Sequence, residues 1–103
     1  SEFVECGLTP EILDDFAAPF VKESNIKMAL SLVDIMDIKQ NKTHFIIAKI
    51  EDFYFPKEAL QDDGHIDIEK SGSICVSGLD SYHKTDHIAR LSYAKPNIEV
   101  SEL

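Results

Sequence analysis

Hydrophobic residues recur at every second position between Asn25 and Ile38. Ile26, Met28, Leu30, Leu32, Met36 and Ile38 fall on one face, which Asp34 interrupts. Lys27, Ala29, Ser31 and Asp37 fall on the other, with Val33 and Ile35 as apolar exceptions. A period of two is that of a half-buried strand. Lys39-Gln40-Asn41-Lys42 then makes a polar turn, and Thr43 to Phe55 reads as a second strand rich in β-branched and aromatic residues. Phe45, Ile47, Phe53 and Phe55 share one of its faces, and Ile46, Ala48, Ile50 and Tyr54 share the other. Both faces are apolar, so both are expected to be covered. The short turn between the two strands predicts an antiparallel hairpin.

Around this hairpin the pattern is more broken. Thr9-Pro10-Glu11 offers a hydroxyl cap, a proline at the first helical position and a carboxylate in the first turn. It predicts a helix with Ile12, Leu13 and Phe16 on one face, stopped at Pro19. Residues 1–8 carry little signal beyond an edge strand around Phe3 and Val4. Lys57 to Leu60 suits one helical turn, and Asp62-Asp63-Gly64 suits a tight turn. Ile66 and Ile68 fit a short strand, or Asp67 to Ser71 a helical turn. A strand over Ser73–Ser77 runs into Gly78 and a polar loop that holds Tyr82 and His83. Thr85 can cap a short helix to Ala94, with Pro96 ending it. The sum is mainly β: an antiparallel, partly open Greek-key barrel with short helices.

Composition narrows the classes of function. At 103 residues and 11.6 kDa the chain is at most one domain, 1–103. Nineteen acidic against ten basic residues leave a net charge of −9, which repels nucleic acid and anionic membranes. No apolar run has the length of a membrane span, and no signal peptide is visible, so a cytoplasmic setting is expected. Cys6 and Cys75 belong to no spaced metal motif, and Cys75, in an apolar run, is expected to be a reduced, buried thiol. The acidic turn at Asp62 lacks the alternating ligands and closing glutamate of a calcium loop. His83 and His87 are four apart but have no third ligand at a fixed spacing, so they read as surface histidines and no metal is assigned. There is no serine elbow, no phosphate loop and no dinucleotide fingerprint.

Gly78-Leu79-Asp80-Ser81-Tyr82 and Arg90-Leu91-Ser92-Tyr93-Ala94-Lys95-Pro96 resemble the C-terminal signature of the flavin reductase-like family, the FMN-binding split barrels that include flavoredoxins. Gly7-Leu8-Thr9-Pro10 and Ala18-Pro19-Phe20-Val21-Lys22-Glu23-Ser24 also look like that family, and the blocks keep its order. The family is about twice as long, so the resemblance is to its C-terminal half, with a chain that opens as if cut from the middle. It implies a parent that is a flavin-dependent oxidoreductase. It further implies that FMN would be held non-covalently at a homodimer interface, with electrons coming from a nicotinamide nucleotide or a redox protein. It also places most contacts to the flavin phosphate in the other half, so this half is not expected to be competent alone.

Within the signature, Tyr82, His83 and Arg90 are the candidate cofactor-binding residues. Arg90 is the chain's sole arginine. Its planar fork suits a phosphate or a flavin carbonyl edge; equally, on a helix it could pair with Asp86 one turn back. Tyr82 can stack on a ring, and Tyr93 reads as a packing residue. Asp80 reads as shaping the turn. A second reading stands beside the first: a non-catalytic, truncated β module that dimerises and binds no flavin.

Overall fold

A computed structural model describes all 103 residues. The elements in order are helix α1 (Glu2–Cys6), β1 (Pro10–Glu11), β2 (Phe20–Val21), β3 (Lys27–Ile38), β4 (Thr43–Tyr54), a single 3-10 turn (Lys57–Ala59), β5 (Ile74–Ser77) and β6 (Ser81–Lys84). They form three separate antiparallel two-stranded sheets, β1-β2, β3-β4 and β5-β6. The architecture is therefore mainly β and antiparallel, as the alternating pattern predicts.

The long ribbon β3–β4 dominates. Asn41 Oδ1 accepts from the Thr43 amide at 3.2 Å and from its hydroxyl at 2.6 Å, which fixes the turn. Register shifts fall between Ala29 and Leu30 and between Leu32 and Asp34. They leave Val33 and Glu51 as bulged residues with no partner opposite. Cross-strand partners share a face, so the pairs define two faces. Met28/Phe53, Leu30/Ile50, Leu32/Ala48 and Ile35/Ile46 lie on face A. Lys27/Tyr54, Ala29/Asp52, Ser31/Lys49, Asp34/Ile47, Met36/Phe45 and Ile38/Thr43 lie on face B. This corrects the strict alternation. The bulge at Val33 takes Asp34 off the face of Leu32, exchanging it for Ile35. The bulge at Glu51 brings Phe53 onto the face of Ile46 and Ile50.

Face B is covered only at its base. Phe20 of β2 is 7% exposed; its ring sits 5.7 Å from Phe16 and edge-on to Tyr54 at 5.5 Å. Ala29 is fully buried. Lys27 Nζ reaches Glu11 Oε2 at 2.7 Å across the same seam. Asn25 Nδ2 donates to the Ser71 carbonyl at 2.8 Å, tying the foot of the ribbon to the turn before β5.

The helix expected from Pro10 does not form. Thr9 gives its amide to the Glu23 carboxylate at 3.0 Å, and its carbonyl takes the Lys22 amide at 2.9 Å. Pro10 and Glu11 pair with Val21 and Phe20. Asp14 and Asp15 sit at φ 49° and 56°, left-handed values that a right-handed helix excludes. The residues read as an edge strand instead form α1, closed by Gly7 at φ 66°. Cys75 is exposed, not buried.

The covering expected for both faces of the second strand is not supplied by this chain. Leu32, Ile46 and Ile50 are more than half exposed, as are Met36 and Phe45. The radius of gyration is 17.7 Å, against about 13 Å for a compact domain of this length.

Candidate functional site

Strand β5 enters the turn Gly78-Leu79-Asp80, with Gly78 at φ 62°, and β6 returns from it. Tyr82 is therefore on a strand, opposite Val76, and not in a loop as the pattern suggested. His83 lies opposite Cys75. As strand neighbours, Tyr82 and His83 point to opposite faces of the hairpin. The Tyr82 ring is 67% exposed. His83 Nε2 shares hydrogen bonds with Ser77 Oγ at 2.9 Å and Ser81 Oγ at 3.3 Å, both on its own face.

Beyond Lys84 the chain does not form the expected helix to Ala94. The Thr85 hydroxyl is buried and makes no cap. The C-terminal residues instead fold back beside Arg90–Ser92. Leu103 gives its amide to the Arg90 carbonyl at 2.8 Å, and Ser92 gives its amide to the Ser101 carbonyl at 2.8 Å. Leu91 bridges Glu102. This pairing holds the segment extended, where a helix would need those groups for itself.

Arg90 does not pair with Asp86. Its Nη1 meets Asp63 Oδ2 at 2.6 Å and donates to Gln61 Oε1 at 3.2 Å. Asp63 and Gln61 come from the turn around Asp62-Asp63-Gly64, which the local pattern marks only as a turn. Their partnership with Arg90 is long-range, and no spacing rule could have found it. The Asp63 carboxyl is held below the usual carboxylate range, first by the His65 amide and further by Arg90, against some desolvation.

Arg90 lines a cavity of about 400 Å³ with Asp62, Asp63, Asp67, Glu69, His65 and His87. Leu103 is its one apolar wall. Flavin asks for two things: a stacking surface for the ring and donors for the phosphate. The exposed Tyr82 ring fits the first. The cavity at Arg90 does not fit the second, because four carboxylates surround a guanidinium already held by one of them. The structure thus places Arg90 in this cavity, while Tyr82 and His83 are not among the residues that line it.

The fold class is the split barrel, and the likeness within it is specific. A crystal structure of a candidate flavin reductase with a split barrel domain from Shewanella frigidimarina NCIMB 400 is 48% identical. The match covers 91% of this chain and 48% of that one, with a TM-score of 0.87. Flavoredoxin of Desulfovibrio vulgaris (Miyazaki F) is 27% identical over 86% of this chain and 47% of its own, with a TM-score of 0.65. No protein-family model and no curated protein matches the chain. The two structures support the flavin reductase-like family for this chain. It spans about half the length of each. No helix is long and apolar enough to cross a membrane.

Proposed function

We propose that this chain is the C-terminal part of a flavin reductase-like or flavoredoxin-like oxidoreductase that binds FMN. The observation that carries the reading is 48% identity over 91% of the chain to a candidate flavin reductase. When bound, the flavin supplies the redox chemistry, which explains why the chain needs no acid–base triad of its own. Tyr82 offers a face to the isoalloxazine ring. His83, its Nε2 engaged by two serine hydroxyls, is fixed at the neighbouring position. Arg90, with its Nη1 held by Asp63 and Gln61, keeps its remaining donors for an acceptor edge of the ligand. The phosphate is held outside the acidic cavity, by groups this chain does not provide. The reading includes a cytoplasmic setting, a homodimer of completed barrels, and a nicotinamide nucleotide or redox protein as electron donor.

The acidic cavity favours a second reading for the chain by itself: a β module that associates but takes up no flavin. Titration with FMN, followed by flavin fluorescence, separates the two. It is run on the isolated chain and on the chain joined to the rest of a split barrel. The first reading expects binding in the joined form, weakened by Tyr82→Ala and Arg90→Ala. Absence of binding there, or binding indifferent to both substitutions, overturns it.

A further inference from the structure

We propose that Lys84 and Thr85, with Ser73 and Glu69, form a subsite for an amide or imide group carried on a planar ring, a carbonyl beside an N–H. The pyrimidine edge of a flavin and the carboxamide of a nicotinamide both have that chemistry. The inference deepens the flavin reading and rests on it for its ligands.

The phase of β6 argues first. Tyr82 and Lys84 are two apart on the strand, so they share the hairpin face that His83 does not. Their partners across the hairpin are Val76 and Ile74. A planar ligand on the Tyr82 ring therefore lies along an apolar strip with Lys84 at its next step. There a cavity of about 300 Å³ is lined by Glu69, Gly72, Ser73, Ile74, Lys84 and Thr85. Ligand pockets begin at roughly that volume. Hydrogen-bond accounting argues second. Thr85 Oγ1 is the chain's one buried side-chain polar atom without a partner. Its desolvation is uncompensated until an acceptor arrives, and a turn about χ1 exchanges its methyl and hydroxyl at the cavity wall. Lys84 and Glu69 make no ion pair, with each other or with any other residue. Ser71 Oγ gives its single hydrogen to the Ile68 carbonyl at 2.9 Å, so Ser73 must be the donor in the 3.0 Å contact between the two serines. Ser73 Oγ keeps only lone pairs. The cavity thus has two uncommitted donors, Lys84 and Thr85, and two uncommitted acceptors, Glu69 and Ser73. A plain anion suits Lys84 but meets the Glu69 carboxylate, and a plain cation meets the reverse. A carbonyl next to an N–H answers both sets at once.

The test titrates four probes into this chain, alone and joined to the rest of a split barrel: riboflavin, riboflavin methylated at its imide nitrogen, nicotinamide, and benzoate. Amide NMR shifts of Ser73, Lys84 and Thr85 report binding. The expected result is that riboflavin, nicotinamide or both move these amides, and the probe that does so names the source of the group. The methylated flavin should bind about tenfold more weakly than riboflavin, and benzoate about tenfold more weakly than nicotinamide, since each lacks the N–H. Lys84→Met and Thr85→Val should each weaken binding about tenfold. Lys39→Met, in the turn before β4, should leave it unchanged. Thr85→Val should also raise the melting midpoint of the free protein, because it removes the hydroxyl that lacks a partner. Higher stability with weaker binding marks a ligand donor and not a packing residue. Benzoate bound as tightly as the amide probes overturns the proposal, and so does the absence of any shift at the three amides. FMN binding that Tyr82→Ala weakens but Lys84→Met and Thr85→Val do not overturns it while leaving the flavin reading in place. Nicotinamide held at Lys84 and Thr85 with no flavin bound supports the subsite and overturns the flavin reading.

Discussion

Arg90 Nη1 lies 2.6 Å from Asp63 Oδ2, so the chain's sole arginine is committed to a carboxylate from a distant turn. The same residue's carbonyl takes the Leu103 amide. Arg90 thereby joins three segments: the acidic turn, its own extended stretch and the C-terminal residues. A guanidinium fixed this way has one edge engaged and keeps part of its donor set for a ligand.

The pair makes a titration prediction. Asp63 is lowered in the folded state, so its stabilising contribution is complete above its unfolded value of about 3.9 and is lost as pH falls through the folded value. Arg90→Ala should raise the Asp63 pKa, yet leave it below the ordinary range, because the His65 amide, 3.2 Å from Oδ1, is the larger cause. Carboxyl carbon NMR across acidic pH measures it. A titration identical in the variant would show that the ion pair does not persist in solution.

Tyr54 carries the opposite sign. Its hydroxyl donates to Asp14 Oδ2, and that bond is the main reason its pKa is pushed up to about 12, with desolvation and the Asp14 and Asp52 charges adding to it. The neutral phenol is favoured, so the contribution is complete below the unfolded value of about 10 and disappears as pH rises through about 12. Asp14→Ala should bring the tyrosinate absorbance transition down towards about 10. The difference from Tyr54→Phe assigns the transition to this ring.

Phe20 anchors the small buried cluster at the ribbon's foot, between Phe16 and Tyr54. Phe20→Ala should cost about 3–5 kcal/mol, by lost transfer and the cavity left behind. Phe20→Leu, which keeps more of the volume, should cost less. Denaturant melts of both variants give the comparison. An alanine variant as stable as the parent would mean that this cluster is not a core.

The long strands were legible because their signal is local: a period of two with a polar turn between, and both came within two residues of their bounds. The signals that misled were also local. Thr9-Pro10-Glu11 and Thr85-Asp86 each have helix-start chemistry, but Glu23 takes the Thr9 amide and the C-terminal residues take the backbone of Arg90–Ser92. Those partners are remote in sequence, so propensity had no access to them. At the candidate site, Tyr82 and Arg90 stood out through the family-like block. Asp63, which holds Arg90, did not. The two bulges were equally hidden. Asp34 looked like a flaw in an apolar face, when it was the mark of a change in phase.

That change of phase can be tested by deletion. Val33 has no partner across the ribbon, so removing it leaves every pair intact: Leu32 still meets Ala48, and Asp34 still meets Ile47. Only the bulge and its local twist are lost. Removing Ile35 is different. If the pairing from Ile38/Thr43 to Met36/Phe45 is kept, the bulge must be consumed, and Asp34 then falls opposite Ile46 on face A. If the rest of the barrel packs on face A, an unpaired carboxylate there should cost roughly 2 kcal/mol or more. The deletion of Val33 should therefore melt close to the parent when paired with a complementary barrel half, and the deletion of Ile35 well below it. Equal losses from the two deletions would mean that the bulge does not set the faces, and that face A is not the surface on which the ribbon is packed.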